Sequence, residues 1–326
     1  MKPVSLSLQV PEGVSRLSEA PASLAEGATS LDLRGNYIGA EGLREVAAAL
    51  VTNEQRARAV EEQRVRAIEE GFSPLHLEAA YGREGIVRQL LQNNADIAAR
   101  NNYGDSPLHM AARNGHEGVV RLLLQNNADI AARNEFRRSP LLLAAMNGHE
   151  GVVRLLLENN ADIATLANVG RSSLHWAARN GHEGVVRLLL ENNANIAAMD
   201  EEGSSPLHLA AWNGHWRAVR LLLQNNADIA ARDNGGDSPL HVAAANGHEA
   251  TVHLLLANNA DIAAMDDDGY SPLHWAAENG HEAASGFIRA ALQEFHKLPG
   301  ELGDGHMPAP TPPFALHLRC NSMRQP

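Results

Sequence analysis

Residues 105–129 read DSPLHMAARNGHEGVVRLLLQNNAD, and this phrase recurs along the chain. Ser73, Ser106, Ser139, Ser172, Ser205, Ser238 and Ser271 each open a Ser-Pro-Leu-His-like tetrapeptide, 33 residues apart every time. A Gly-His pair follows at the same period, from Gly115-His116 to Gly280-His281. An Asn-Asn-Ala-Asp phrase closes the units, as at Asn93–Asp96 and Asn126–Asp129. Seven units run without insertion from about residue 68 to 298. A fixed period of this length marks a stacked repeat array, in which no unit can bury its apolar face alone.

Within each unit the pattern predicts a helix, a turn, a second helix and an extended hairpin. Ser106 suits an N-cap and Pro107 the first helical position, where a missing N–H costs nothing. The short apolar helix over Leu108, Met110, Ala111 and Ala112 stops at Gly115, which is free to turn left-handed. The second helix carries Val119, Val120, Leu122, Leu123 and Leu124 inward. On its outer side Glu117 precedes Arg121 by four residues, and Glu150/Arg154 and Glu183/Arg187 repeat the spacing, an ion-pair pattern worth about 0.2–0.5 kcal/mol. Asn126-Asn127 supplies a left-handed helix end.

These residues resemble the ankyrin repeat, over about 230 of the 326 residues. The resemblance implies an all-α fold: an ankyrin-repeat α-solenoid, helix–turn–helix plus β-hairpin loop per repeat, with a small N-terminal cap. It also implies a non-catalytic scaffold that binds a protein through the concave groove and hairpin tips. Two departures stand out. Asparagine replaces the usual glycine after the second helix. Alanine (Ala98, Ala131, Ala164, Ala197, Ala230, Ala263) replaces the asparagine that is hydroxylated in some family members, so that modification has no target in these units.

The flanks read differently. Residues 1–30 are expected to be disordered or degenerate. Residues 31–50, LDLRGNYIGAEGLREVAAAL, resemble one leucine-rich repeat, with Leu31, Leu33 and Asn36 in its strand-and-turn half. One such repeat cannot stand alone, so 31–67 is expected to cap the array, with a helix over 54–69. Residues 299–326 are Pro-rich and expected to be a disordered tail.

Composition narrows the chemistry. A single cysteine, Cys320, excludes a disulfide framework and any multi-cysteine zinc module. No apolar run reaches the roughly 18 residues of a membrane span, and the N-terminus lacks a signal-peptide core. The expected compartment is therefore intracellular and reducing, the cytoplasm by default. The net charge of −12 argues against nucleic acid as a partner. No Gly-Lys pair exists for a phosphate loop.

Sixteen histidines invite a metal or catalytic reading. Twelve of them occupy two repeat slots, placing like histidines about 10 Å apart on successive repeats. Metal ligands converge within roughly 2 Å of one ion, so such a ladder forms no site, and the resemblance assigns these histidines to structure. His248 to His253 imitates a zinc-protease helix, but its second histidine stands five residues on and off the first one's face. Asp266-Asp267-Asp268-Gly269 imitates a calcium loop, but Ala264 and Trp275 fall where ligands are required. Catalytic residues, cofactors and metals are accordingly all expected to be none.

The variable slots point to a partner surface. Across repeats two to four Arg100, Arg113, Arg133, Arg137, Arg138, Arg171 and Arg179 face only Asp105 and Glu135. Repeats five to seven carry the acids, among them Asp200, Asp233 and Asp266, which fill a hairpin-stabilising slot. Arg137 replaces a loop glycine, Leu142 a histidine and Ser173 a proline, and the tip Thr165–Val169 is unusually apolar. Two readings stay open at this level. One is drift, which makes repeats three and four the weak point. The other is a binding patch of Phe136, Met146, Leu166, Val169 and Trp212 rimmed by Arg113, Arg138, Arg171 and Arg179. Trp176 and Trp275 read as packing residues, whereas Trp212 occupies a slot that also tolerates Ala, Arg and Glu and so faces solvent, a position that the resemblance places in the concave groove. The expected partner is another protein, presenting an acidic or extended segment to a monomer. The alternative is a substrate adaptor of a larger enzyme complex such as a ubiquitin ligase, with Leu316–Cys320 faintly similar to a recruiting box.

Overall fold

The computed structural model describes residues 5–7, 30–32 and 69–297. The chain divides into two units, Met1–Ser73 and Pro74–Pro326. In the first, β1 (Ser5–Ser7) pairs in parallel with β2 (Ser30–Asp32), Leu6 opposite Leu31. The rest of the leucine-rich-repeat-like segment, nearly all of the helix expected over 54–69, and the tail with Cys320 lie outside the described residues.

The second unit holds fourteen α-helices in seven pairs among the described residues. The pairs are α1 (Pro74–Ala80) and α2 (Glu84–Gln92), α3 (Pro107–Arg113) and α4 (Glu117–Gln125), and α5 (Pro140–Met146) and α6 (Glu150–Glu158). Then come α7 (Ser173–Arg179) and α8 (Glu183–Glu191), α9 (Pro206–Trp212) and α10 (Trp216–Gln224), α11 (Pro239–Ala245) and α12 (Glu249–Ala257), and α13 (Pro272–Glu278) and α14 (Glu282–Lys297). Each odd helix packs on the next odd helix, and each even helix on the next even one. The unit is the all-α solenoid that the periodicity predicts. Leu75, Leu108, Leu141, Leu174, Leu207 and Leu240 form one buried row; each such side chain contributes about 1.5–3 kcal/mol.

The local signals act as the sequence suggests. Ser106 caps α3 by accepting from the His109 N–H at 3.4 Å. Asn127 takes φ +63° after α4, and Asn126 donates its side-chain amide to Leu122 O at 2.8 Å. One asparagine therefore closes the helix by backbone conformation and its neighbour by side-chain capping. The i,i+4 pairing holds less well. Glu183–Arg187 closes at 3.2 Å, but Glu117 and Glu150 instead run across Gly151 and Gly184 of the following repeat.

The histidines join the units in both directions. His109 Nδ1 accepts from the Ser106 N–H at 3.1 Å, and His109 Nε2 meets Arg138 O at 3.1 Å in the next repeat. An amide can only donate and a carbonyl only accept, so the ring is neutral with its proton on Nε2. His175 makes the same contacts with Ser172 and with Ser204 O. Burial pushes both rings down to about 4. The Gly-His histidines reach backward: His116 Nε2 bonds Ala80 O at 2.8 Å and His149 Nε2 bonds Arg113 O at 2.9 Å. A Cβ on Gly115 would stand 2.6 Å from His149 Nδ1, so this turn needs glycine for space as well as for its φ of +78°.

Candidate interaction site

The hairpins between units set the surface. In a regular hairpin an Asn or Asp side chain holds the turn. Asn134 Oδ1 accepts from Phe136 N–H at 3.0 Å and Arg138 N–H at 2.9 Å. Asp200 Oδ1 accepts in the same way from Glu202 N–H and Ser204 N–H. Repeat four has Ala167 in that slot and no side-chain acceptor. Its turn closes differently, with Val169 at φ +60° and Gly170 at +72° and a lone antiparallel bridge from Leu166 to Ser172. A β-branched residue in the left-handed region is strained. The altered turn leaves Leu166 and Val169 about as exposed as Phe136, at 40%, 41% and 42%.

Behind these tips Ala167 packs with Leu142 and Trp176, and Met146 borders the cluster. Leu142 stands where other repeats place the buried histidine, so an apolar contact replaces a hydrogen-bonded one. Trp176, 6% exposed, is the floor of a cation cluster. The guanidinium carbons of Arg138, Arg171 and Arg179 lie 5.4, 5.7 and 5.3 Å from its ring centre, and Arg138 is also 5.1 Å from the Phe136 ring. Each such contact contributes on the order of 0.5–2 kcal/mol.

The three cations differ in what else holds them. Arg171 is buried and paired with Asp200 at 2.8 Å and Glu202 at 3.1 Å, so its charge is met within the chain. Arg113, at the end of α3, pairs with Asp105 at 3.4 Å. Arg138 makes no ion pair among the described residues, and its buried Nε has no hydrogen-bond partner. Burial, followed by the charge of Arg113, holds the Arg138 guanidinium below its usual pKa. Burial and Arg171 act alike on Arg179.

A family model for ankyrin repeats matches residues 38–134, 131–200 and 207–290. The chain belongs to the ankyrin-repeat family. Among solved structures it is similar to the human ASB11 ankyrin repeat domain, with 29% identity, a TM-score of 0.62, and 67% of this chain and 98% of that one covered. No curated protein matches the chain.

In this ankyrin array Arg138, Met146, Arg171 and Arg179 converge on Trp176, Phe136 joins them through Arg138, and the charge of Arg113 acts on Arg138. Leu166 and Val169 sit on the adjoining tip. Trp212 is half-buried at the end of α9, where its carbonyl accepts from His248 Nε2 at 2.8 Å, and it is not among the groups meeting at Trp176. Trp275 is half-buried and donates its Nε1–H to Asp266 Oδ2 at 2.9 Å. The sequence reading took Trp176 as packing, which it is, and missed that it organises the arginines. The signal was the position of a tryptophan one unit on from Arg138 and three residues before Arg179. Among the described residues no three His, Cys, Asp or Glu side chains stand together as a metal site, and no helix is long and apolar enough to cross a membrane.

Proposed function

We propose that the protein is a non-catalytic interaction scaffold. The concave groove and hairpin tips of repeats two to five grip an acidic or extended segment of a partner protein. The supporting observation is the pairing, at one place, of exposed apolar tips (Phe136, Leu166, Val169) with half-buried arginines (Arg138, Arg179) stacked on a buried tryptophan. Aromatic and arginine anchors dominate protein interfaces because each covers much apolar area while fixing a polar contact. Arg171 supports this surface, and Trp212 lies one repeat further along the same slot as Arg179.

Crosslinked affinity purification of the full chain beside a Trp212→Ala, Arg138→Ala, Arg179→Ala variant tests the reading. The wild type is expected to capture a partner that the variant loses while keeping its helical circular dichroism. Equal capture by a folded variant would end the assignment of this surface.

A further inference from the structure

At two junctions of this array the hairpins are linked by side chains at two fixed slots, the last residue of one hairpin and the turn-holding residue of the next. Asn134 Nδ2 donates to Asp105 Oδ1 at 2.8 Å, joining the hairpins of repeats two and three. Arg171 Nε donates to Asp200 Oδ2 at 2.8 Å, joining those of repeats four and five. Between these two links the same slots hold Arg138 and Ala167. Alanine offers no acceptor, and Ala167 is itself 3% exposed. Arg138 is thus a cation in the slot that Arg171 fills one unit on, with no carboxylate at the slot that faces it.

Among the described residues no other carboxylate pairs with Arg138. Asp105, whose charge acts on Arg138, is already held by Asn134 and by Arg113. The guanidinium rests on the faces of Phe136 and Trp176, which fix its plane but accept no N–H hydrogen bond in that plane. A guanidinium kept planar, partly desolvated and unpaired is preorganised for a carboxylate, because the cost of ordering and drying it is already met by folding.

We propose that the gap in charge pairing at Arg138, opposite Ala167, is a carboxylate-binding site. An Asp or Glu side chain of a bound protein segment pairs with the half-exposed Arg138 guanidinium as Asp200 pairs with Arg171, with Arg179 as the second cation and Phe136 as the exposed apolar wall. This rests on the scaffold reading above and names the chemistry its partner must present. A nucleic-acid backbone fits poorly, since a polyanion following the array would meet Asp200, Glu201, Glu202 and the further acids of repeats five to seven. The gap lacks one turn-holding carboxylate, so it suits a single acidic side chain.

The test uses the full chain at low ionic strength and fluorescence anisotropy of labelled tetraglutamate, tetraglutamine and tetraphosphoserine peptides. The wild type is expected to bind tetraglutamate about tenfold more tightly than tetraglutamine, the scale of one charge-assisted contact. Ala167→Asp places the missing carboxylate inside the chain. It should remove that preference while leaving the melting midpoint equal or higher, since Asp can hold the turn and pair with Arg138 as Asp200 does. Arg138→Gln, which leaves the hairpin intact, should remove the preference as well.

The proposal is overturned if the wild type does not distinguish the Glu and Gln peptides, or if Ala167→Asp binds tetraglutamate as tightly as the wild type. It is also overturned if phosphoserine is preferred to glutamate by more than about tenfold, which would assign the gap to phosphate. Failure here can be told from failure of the scaffold reading. A partner lost by the triple variant but still captured by Ala167→Asp keeps the scaffold and removes the carboxylate site.

Discussion

The junction of repeats three and four and the junction of repeats four and five use the same slots and close in opposite ways. At the second, Asp200 holds its own turn, pairs with Arg171 and leaves no charge unmet. At the first, Ala167 holds nothing, the turn falls back on a strained Val169, and Arg138 is left without an anion. Leu142 further replaces a histidine that elsewhere carries hydrogen bonds to two repeats. An array whose stability is a sum over units and interfaces can tolerate one such junction, because the loss stays local. The irregular junction is also where aromatic, apolar and cationic groups reach the surface together, so the substitutions that remove these hydrogen bonds also bring Phe136, Leu166 and Val169 out beside the arginines.

Acid should separate the two kinds of repeat most strongly. His109 and His175 have folded values near 4, set mainly by burial, against roughly 6.5 in the unfolded chain. Below 6.5 the unfolded state takes up protons that the folded repeats exclude. The stability each ring supplies is therefore complete above about pH 6.5 and lost as the pH falls toward 4. The loss is roughly 3 kcal/mol per ring over that window. Repeat three, with Leu142, lacks such a ring. Urea unfolding followed between about pH 7 and 4.5 should show the loss, and His109→Leu with His175→Leu should reduce the slope while lowering stability at neutral pH, the remainder coming from His76, His208 and His241, which burial also lowers. A slope unchanged by the pair of substitutions would remove the histidines from the account.

Asp200→Ala should convert the regular junction into the irregular one. It takes an acceptor from two backbone N–H groups and leaves Arg171, 3% exposed, with Glu202 alone. The expected cost is about 3 kcal/mol in urea unfolding at neutral pH, most of it from the stranded charge. Adding Arg171→Met should restore more than half of that loss, because the apolar stem remains over Trp176 and no charge is left buried. If the double variant is as unstable as the single one, the turn bonds matter and the ion pair does not.

What could be read in the sequence follows how far each interaction reaches. Ser106, Pro107, Gly115 and Asn126-Asn127 act within four residues, and their roles were legible before any coordinates. The Glu117/Arg121 spacing was equally local but misleading, since Glu117 lies across Gly151, 34 residues on, and only the packing distance between units shows that. The patch was legible as a set of departures from the repeat. Its sorting was not. Arg171 and Arg138 occupy the same slot in successive units, and their difference, one buried in an ion pair and one unpaired among the described residues, comes from the residue 29 positions later. Aspartate at 200 and alanine at 167 could have been compared directly once the pairing of those two slots was known.

The smallest effect lies at Arg137. All six other units place glycine in this slot, at φ +78° for Gly71, +73° for Gly104 and Gly203, +72° for Gly170, +76° for Gly236 and +81° for Gly269, whereas Arg137 is held at +57°. The left-handed conformation costs a residue with a Cβ about 1 kcal/mol, and glycine returns part of that through its freer unfolded state. Arg137→Gly is therefore expected to raise stability by only about 0.5 kcal/mol in urea unfolding. The reverse change, Gly104→Arg, should cost more, about 1–2 kcal/mol, since a Cβ there would stand 2.9 Å from the Glu135 backbone nitrogen as well as carrying the unfavourable φ. That asymmetry is the informative result. A reverse cost no larger than the forward gain would mean that the slot is chosen for φ alone and that a side chain fits a regular junction as readily as the irregular one.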